Sequence, residues 1–224
     1  MAINYQKKIL TSFQETALLA LFNTYEELRP FYLTGGTALA AFHLHHRYSD
    51  DLDFFTHDEF DAFKLDQVMR DLSTKNGWRI VSSRRETFFY KVLIEENQEL
   101  PPLKIDFVKD TSPHFGMMEQ WGKVPIDTLR NISSNKITAI FGRTEAKDFV
   151  DLYFILKDKI TMDEIFEEAQ QKDGGLNEFY FAGQLRNVEL FKTLPNMIKP
   201  ITLEDLKKTM LNLADQFIQK AKPR

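Results

Sequence analysis

The chain has 224 residues, 43% hydrophobic and 28% charged, with a formal net charge of −4 and no cysteine. That balance describes a globular chain of one large or two small domains and excludes a disordered one. It also excludes disulfides, thiolate metal sites and cysteine nucleophiles, and it fits a reducing cytoplasm. With an acidic net charge, a nucleic-acid ligand would have to find a local basic patch. No apolar run is long enough to cross a bilayer, and the first residues lack the apolar core of a signal peptide. A cytoplasmic chain with no membrane partner is therefore expected. The 20 phenylalanines recur at helical spacing and read as core.

In chain order, residues 5–28 carry a helical apolar stripe (Ile9, Leu10, Phe13, Ala17, Leu18, Leu21, Phe22) that Pro30 ends. Residues 31–34 read as a short buried strand broken by Gly35-Gly36, and residues 37–46 as a short helix. Residues 51–55 form a second strand, and residues 60–75 a helix stopped at Asn76-Gly77. Two strands over 78–83 and 88–95 are joined by a polar turn. Pro101-Pro102 leads into an alternating strand over 103–108. Residues 111–122, with Pro113, Gly116 and Gly122, read as loop, and 124–126 as a short strand. Beyond that the pattern is helical: 127–141, 145–157, 162–171, 176–193 and 203–222, with breaks at 173–175 and 195–200. The expectation is an α+β chain, a small mixed sheet flanked by helices over residues 1–126 and a mostly helical part over 127–224.

The segment Arg47-Tyr48-Ser49-Asp50-Asp51-Leu52-Asp53-Phe54-Phe55 is the most informative. In a strand, residues i and i+2 share a side, so Asp51 and Asp53 project together while Leu52 and Phe54 enter the core. Two adjacent carboxylates repel, and a divalent cation resolves the conflict. Magnesium is the natural candidate because it takes hard oxygen ligands and keeps positions open for phosphate oxygens. Asp106, set in the apolar strand over 103–108, offers a third carboxylate. If that strand lies near the Asp pair, the three could hold two ions, an arrangement suited to in-line phosphoryl displacement.

Gly35-Gly36-Thr37 follows a strand and opens a helix, where backbone N–H groups can approach phosphates closely. On its own the element is also an ordinary turn. His46 and Arg47, next to the Asp pair in sequence, are candidates for contacting substrate phosphates. His43 and His46 are three apart, a spacing open to a metal pair, yet without cysteine a zinc site is the weaker reading. Lys136 is a lone cation among small and apolar neighbours: it either neutralises a triphosphate or is a surface lysine. Asp148 and Asp151 share a helix face. Asp151, ringed by apolar residues, reads as one partner of a structural salt bridge with Arg143 or Lys136.

Taken together, Thr34-Gly35-Gly36-Thr37, Arg47 through Phe54, Lys104-Ile105-Asp106, Lys136, and Arg143 through Tyr153 resemble the AbiEii/AbiGii toxin nucleotidyltransferases of the DNA polymerase β-like superfamily. The resemblance covers residues 33–156. It implies that Gly35, Gly36 and Ser49 hold a nucleoside triphosphate, with Thr37 and Arg47 in the same substrate region. It implies that Asp51, Asp53 and Asp106 bind Mg²⁺, that Lys136 contacts phosphate, and that Asp148 is an active-site acid. It further implies transfer of a nucleoside monophosphate to RNA, with tRNA as acceptor, and pairing with an antitoxin protein. A small-molecule or protein hydroxyl as acceptor, or a non-catalytic nucleotide-binding relic, are the alternatives.

Overall fold

The fold comes from a computed structural model, which describes residues 9–158 and 160–221. The start of the first expected helix (residues 5–8) and the last residue of the final one (222) lie outside the described residues. The chain divides into two units. The first comprises Met1–His43, Ser49–Thr111 and Met117–Asp127, and the second Leu44–Tyr48, Ser112–Gly116 and Thr128–Arg224.

The first unit is a seven-stranded mixed sheet with helices. Helix α1 (Ser12–Thr24) starts at a capping box in which Thr11 accepts from the Gln14 N–H and Gln14 reaches back to the Thr11 N–H. It buries Phe13, Ala17, Leu18, Leu21 and Phe22. After β1 (Tyr32–Thr34) the chain coils at once: α2 (Gly35–Ala38) passes into a wider π-helical stretch, Leu39–Leu44. The expected helix thus begins two residues early, because Gly35 takes a φ of +70° that lets the chain turn directly off the strand. Then come β2 (Leu52–Thr56), α3 (Ala62–Asn76), β3 (Arg79–Glu86), β4 (Phe89–Glu95) and β5 (Leu103–Lys109). Gly77, with φ +71°, ends α3 in the left-handed conformation.

One expectation is corrected. Residues 111–122 are not all loop: β6 (Glu119–Trp121) pairs antiparallel with β7 (Val124–Ile126) across a turn in which Gly122 has φ +61°. A three-residue strand has too few positions to show alternation, and the pairing supplies what the pattern lacks.

The strand order is β3-β4-β5-β2-β1-β7-β6. β2 runs parallel to β5 and β1 parallel to β7; the other neighbours are antiparallel. One face is packed on an aromatic stack in which Phe54 and Phe107 lie 5.2 Å apart, with Phe22, Phe31 and Tyr90 around them. Leu52, Phe54, Ile105 and Phe107 are fully buried there. Period-two alternation sends Asp53, Lys104 and Asp106 to the other face.

The second unit is helical: α4 (Leu129–Gly142), α5 (Ala146–Ile155), α6 (Met162–Lys172), α7 (Glu178–Arg186) and α8 (Leu203–Lys220). The helix expected over 176–193 is shorter and tightens into a 3-10 turn at Asn187–Leu190. Phe166, Phe181 and Phe217 meet at ring separations of 4.6–5.3 Å in its core. Residues 44–48 join this unit through backbone pairing: Tyr48 N–H donates to Asn196, and the Ile198 and Lys199 N–H groups donate to His46. No helix among the described residues is long and apolar enough to cross a membrane.

Candidate active site

Strand register builds the first cluster. Asp53 stands opposite Thr34 on β1 and Asp106 on β5, and Asp106 stands opposite Lys91 on β4. Asp51 precedes β2 by one residue, and its carbonyl accepts a hydrogen bond from the Thr37 hydroxyl. The first turn after Gly35-Gly36 therefore fixes the backbone that carries the Asp pair. Gly35 is required here for a second reason besides its φ: a Cβ would collide with Asp53 Oδ2. Ser49 lies just upstream, its carbonyl accepting from Gln14 Nε2 at 2.8 Å. On the far side of β1, the Thr34 hydroxyl donates to buried Asp127 at 2.5 Å, and a His43 ring nitrogen lies 2.8 Å from the Asp127 carbonyl. These contacts tie the strand ahead of Gly35 to the end of β7.

Two lysines enter this cluster. Lys104 Nζ lies 2.6 Å from Asp51 Oδ2 and 3.7 Å from Asp106 Oδ2, and Lys91 Nζ lies 3.8 Å from Asp106 Oδ1. Burial works against the charge of Lys104, but the hydrogen bond and charge of Asp51, with Asp53 and Asp106 nearby, outweigh it and raise its pKa. Burial raises the pKa of Asp106 despite both lysines. Asp106 Oδ1 is buried and has no hydrogen-bond partner, a vacant hard-oxygen donor of the kind Mg²⁺ takes. As the side chains stand, no three Asp, Glu or His groups among the described residues converge tightly enough to chelate one ion. The donor set fits a divalent cation, provided that Asp51 lets go of Lys104.

The second cluster lies within the helical unit. Asp151 is fully buried and accepts from Arg47 Nε at 2.6 Å and Arg47 Nη2 at 2.9 Å, with His46 Nε2 at 2.7 Å and Lys136 Nζ at 2.7 Å. Asp148, also fully buried, binds Lys136 and Arg143, each at 2.8 Å. Burial alone would raise both acids; Lys136 with Arg47, and Lys136 with Arg143, reverse the sign and hold them below the ordinary carboxylate range. Lys136 remains charged despite burial because of Asp151 and Asp148. Burial pushes the His46 pKa down, although Asp151 pulls the other way. The salt bridge expected for Asp151 is present, to Lys136, with Arg47 and His46 added; Arg143 goes to Asp148.

The candidates thus fall into two groups. Gly35, Gly36, Thr37, Ser49, Asp51, Asp53 and Asp106 belong to the sheet unit, whereas Arg47, Lys136 and Asp148 belong to the helical unit. Sequence reasoning gave Lys104, Lys91 and Asp127 no role. Lys104 was within reach of it, since it lies two residues from Asp106 in an alternating strand; Lys91 and Asp127 needed the strand register.

The fold is shared with solved structures. MenT4, a nucleotidyltransferase toxin of Mycobacterium tuberculosis, superposes with a TM-score of 0.55 at 14% identity, over 93% of this chain and 82% of that one. JHP933 of Helicobacter pylori superposes with a TM-score of 0.55 at 21% identity, over 97% and 94% of the two chains. At these identities the likeness is one of fold. The sequence profile of the nucleotidyl transferase AbiEii toxin family, type IV toxin–antitoxin system, matches residues 17–221, and the chain belongs to that family. An uncharacterized protein of Aquifex aeolicus is 33% identical over 131 residues, which span 57% of this chain and 58% of that relative.

Proposed function

We propose that the chain transfers a nucleoside monophosphate from a nucleoside triphosphate to an RNA hydroxyl, with tRNA as the acceptor class, as the toxin of a pair with an antitoxin protein. The observation that carries the reading is the in-register placement of Asp53 and Asp106, with Asp51 beside them and the backbone of Gly35 packed against Asp53. Family membership supports the reaction class and the antitoxin; the tRNA acceptor rests on the motif resemblance.

Asp51, Asp53 and Asp106 would hold Mg²⁺, as one ion or two. When bound, the ion neutralises charge on the triphosphate and lowers the pKa of the attacking hydroxyl. The acceptor oxygen bonds to the α-phosphorus, the bond between that phosphorus and the β-phosphate's bridging oxygen breaks, and pyrophosphate leaves. A carboxylate oxygen of Asp106 not engaged by the ion would take the hydroxyl proton. Gly35, Gly36 and Thr37 would offer backbone N–H groups to the phosphates, with Ser49 beside them. For Lys136 and Asp148 the motif supports phosphate contact and an acid role, while their mutual ion pair supports a structural one. Lys136→Met separates the two: lost transfer at unchanged melting temperature supports contact, and a lowered melting temperature supports the network. Arg47, buried and bidentate on Asp151, holds that network in this reading.

The test is incubation with each of four α-labelled nucleoside triphosphates, Mg²⁺ and total RNA, followed by nuclease and protease treatment of the product. Nuclease-sensitive label that disappears with Asp53→Ala supports the reading. Label in a small molecule or protein moves the acceptor to the alternative class, and no label with any nucleotide or acceptor refutes transfer.

A further inference from the structure

The carboxylate cluster raises a physical problem. Asp51, Asp53 and Asp106 crowd one face of adjacent parallel strands, and like charges held at that spacing destabilise the fold unless something neutralises them. Within the sheet unit the neutralising groups are lysines of the same face. Lys104 precedes Asp106 by two residues on β5, and Lys91 on β4 faces Asp106 in register. They are not equivalent. Lys104 Nζ is hydrogen-bonded to Asp51 Oδ2 at 2.6 Å and also approaches Asp106, whereas Lys91 stays 3.8 Å from its nearest carboxylate oxygen. Lys104 thus sits between two of the three acids.

We propose that Lys104 is a tethered counter-ion that takes the cation's place in the metal-free protein and leaves Asp51 when a divalent ion enters, a role that rests on the reading of Asp51, Asp53 and Asp106 as the cation's ligands. The ammonium and the ion compete for the same Asp51 oxygen, so metal affinity is set by the difference between the two contacts. The means of exit are present. Lys104 is 32% exposed and carries its charge on a flexible four-carbon stem, which can swing to solvent without moving the strand. Asp106 Oδ1 is buried without a hydrogen bond, and Lys91 Nζ, at 3.8 Å, is too far to supply one, so the lysines leave donor capacity unused.

The test is metal binding by the full chain, measured without substrate. Mg²⁺ is titrated by calorimetry and Mn²⁺ by electron paramagnetic resonance, and melting temperature is read in chelator and in saturating Mg²⁺. Lys104→Met, unbranched and similar in length, removes only the competing charge. It is expected to bind the ion about tenfold tighter, roughly 1.4 kcal/mol. It should melt below wild type in chelator and gain more than wild type from Mg²⁺. Lys104→Arg, which keeps the charge, should bind the ion no tighter than wild type. Lys91→Met should change affinity less than threefold. Should Lys104→Met fail to fold in chelator but fold in Mg²⁺, the counter-ion role stands; failure in both leaves Lys104→Gln to carry the affinity comparison. Equal or weaker affinity in the uncharged variant overturns the proposal while leaving the metal site intact. Absence of binding by wild type and variant alike overturns the metal site with it.

Discussion

The two polar clusters are made from the same residue types and reach opposite ends. In the helical unit, Asp148 and Asp151 are fully buried, and every charge in contact with them is matched by short hydrogen bonds to Lys136, Arg143, Arg47 and His46. In the sheet unit the acids are partly exposed, and one Asp106 oxygen is left without a hydrogen-bond partner. A buried network whose carboxylate oxygens are all hydrogen-bonded has no acid to give a ligand and is strongly disrupted by loss of one member. A reachable, undersaturated one has free coordination capacity at small structural penalty. An Asp beside a Lys thus carries opposite meanings in the two units, and burial with satisfaction tells them apart.

The comparison can be broken most directly at Asp53. Asp53→Ala should lower nucleotide transfer by about a thousandfold, roughly 4 kcal/mol of transition-state stabilisation. Its melting temperature should stay at or above that of wild type, because one of three repelling acids is gone. A large loss of thermal stability would put Asp53 in the structural class instead.

Asp151→Ala should show the reverse pattern. It leaves Lys136 and Arg47 buried without their shared acid, a loss of about 3–5 kcal/mol. In a chain of this size that lowers the melting temperature by roughly 10 °C, read by calorimetry. An unchanged melting temperature with lost transfer would move Asp151 into the reacting group.

Gly35→Ala sharpens the sheet cluster alone. The new Cβ would meet Asp53 Oδ2 at a backbone angle that disfavours L-residues. Transfer should fall about ten- to a hundredfold by displacement of that carboxylate, with a stability loss of about 1–2 kcal/mol. Equal activity would show that the Asp53 carboxylate need not stay where Gly35 places it.

The smallest effect is the pH response of the helical cluster. The pKa of His46 is lowered in the folded chain, so the unfolded chain binds the proton first as pH falls through 6.5. Stability contributed by the neutral ring is thus present above that pH and lost below it, down to the folded value, with a slope of at most about 1.4 kcal/mol per pH unit. Asp151, Arg47 and Lys136 face the ring, and Asp148 and Asp151, both depressed, lose their contribution only as pH falls below the ordinary carboxylate range. Denaturant titrations between pH 7 and pH 5 should show a shallower slope for His46→Gln than for wild type. Parallel slopes would assign the response to other groups.

Several features were legible from the residues. Alternation alone put Asp51 and Asp53 on one side of a strand with Leu52 and Phe54 beneath, because strand periodicity is a local property of the backbone. The apolar ring around Asp151 announced an acid that needs a partner. Gly35-Gly36 marked a break, and at Gly35 the turn needs a glycine. By contrast, the three-residue strand β6 and the π-helical stretch after α2 depend on pairing and packing that no local pattern encodes.

Chain order alone does not place Arg47. It lies four residues from Asp51, yet residues 44–48 pair with 196–198 and bring the guanidinium to Asp151 in the helical unit. Sequence proximity sets how far two residues can separate, and backbone hydrogen bonding sets which unit each joins. The sequence by itself determined the chemistry available to this protein: three acids, a glycine turn, and a motif that names its family. The tertiary structure alone decided the parallel register that sets Asp106 beside Asp53, the insertion of Lys104 between the acids, and the burial that closes the second cluster. Those outcomes depend on contacts between residues distant in the chain, whose energies no single segment carries.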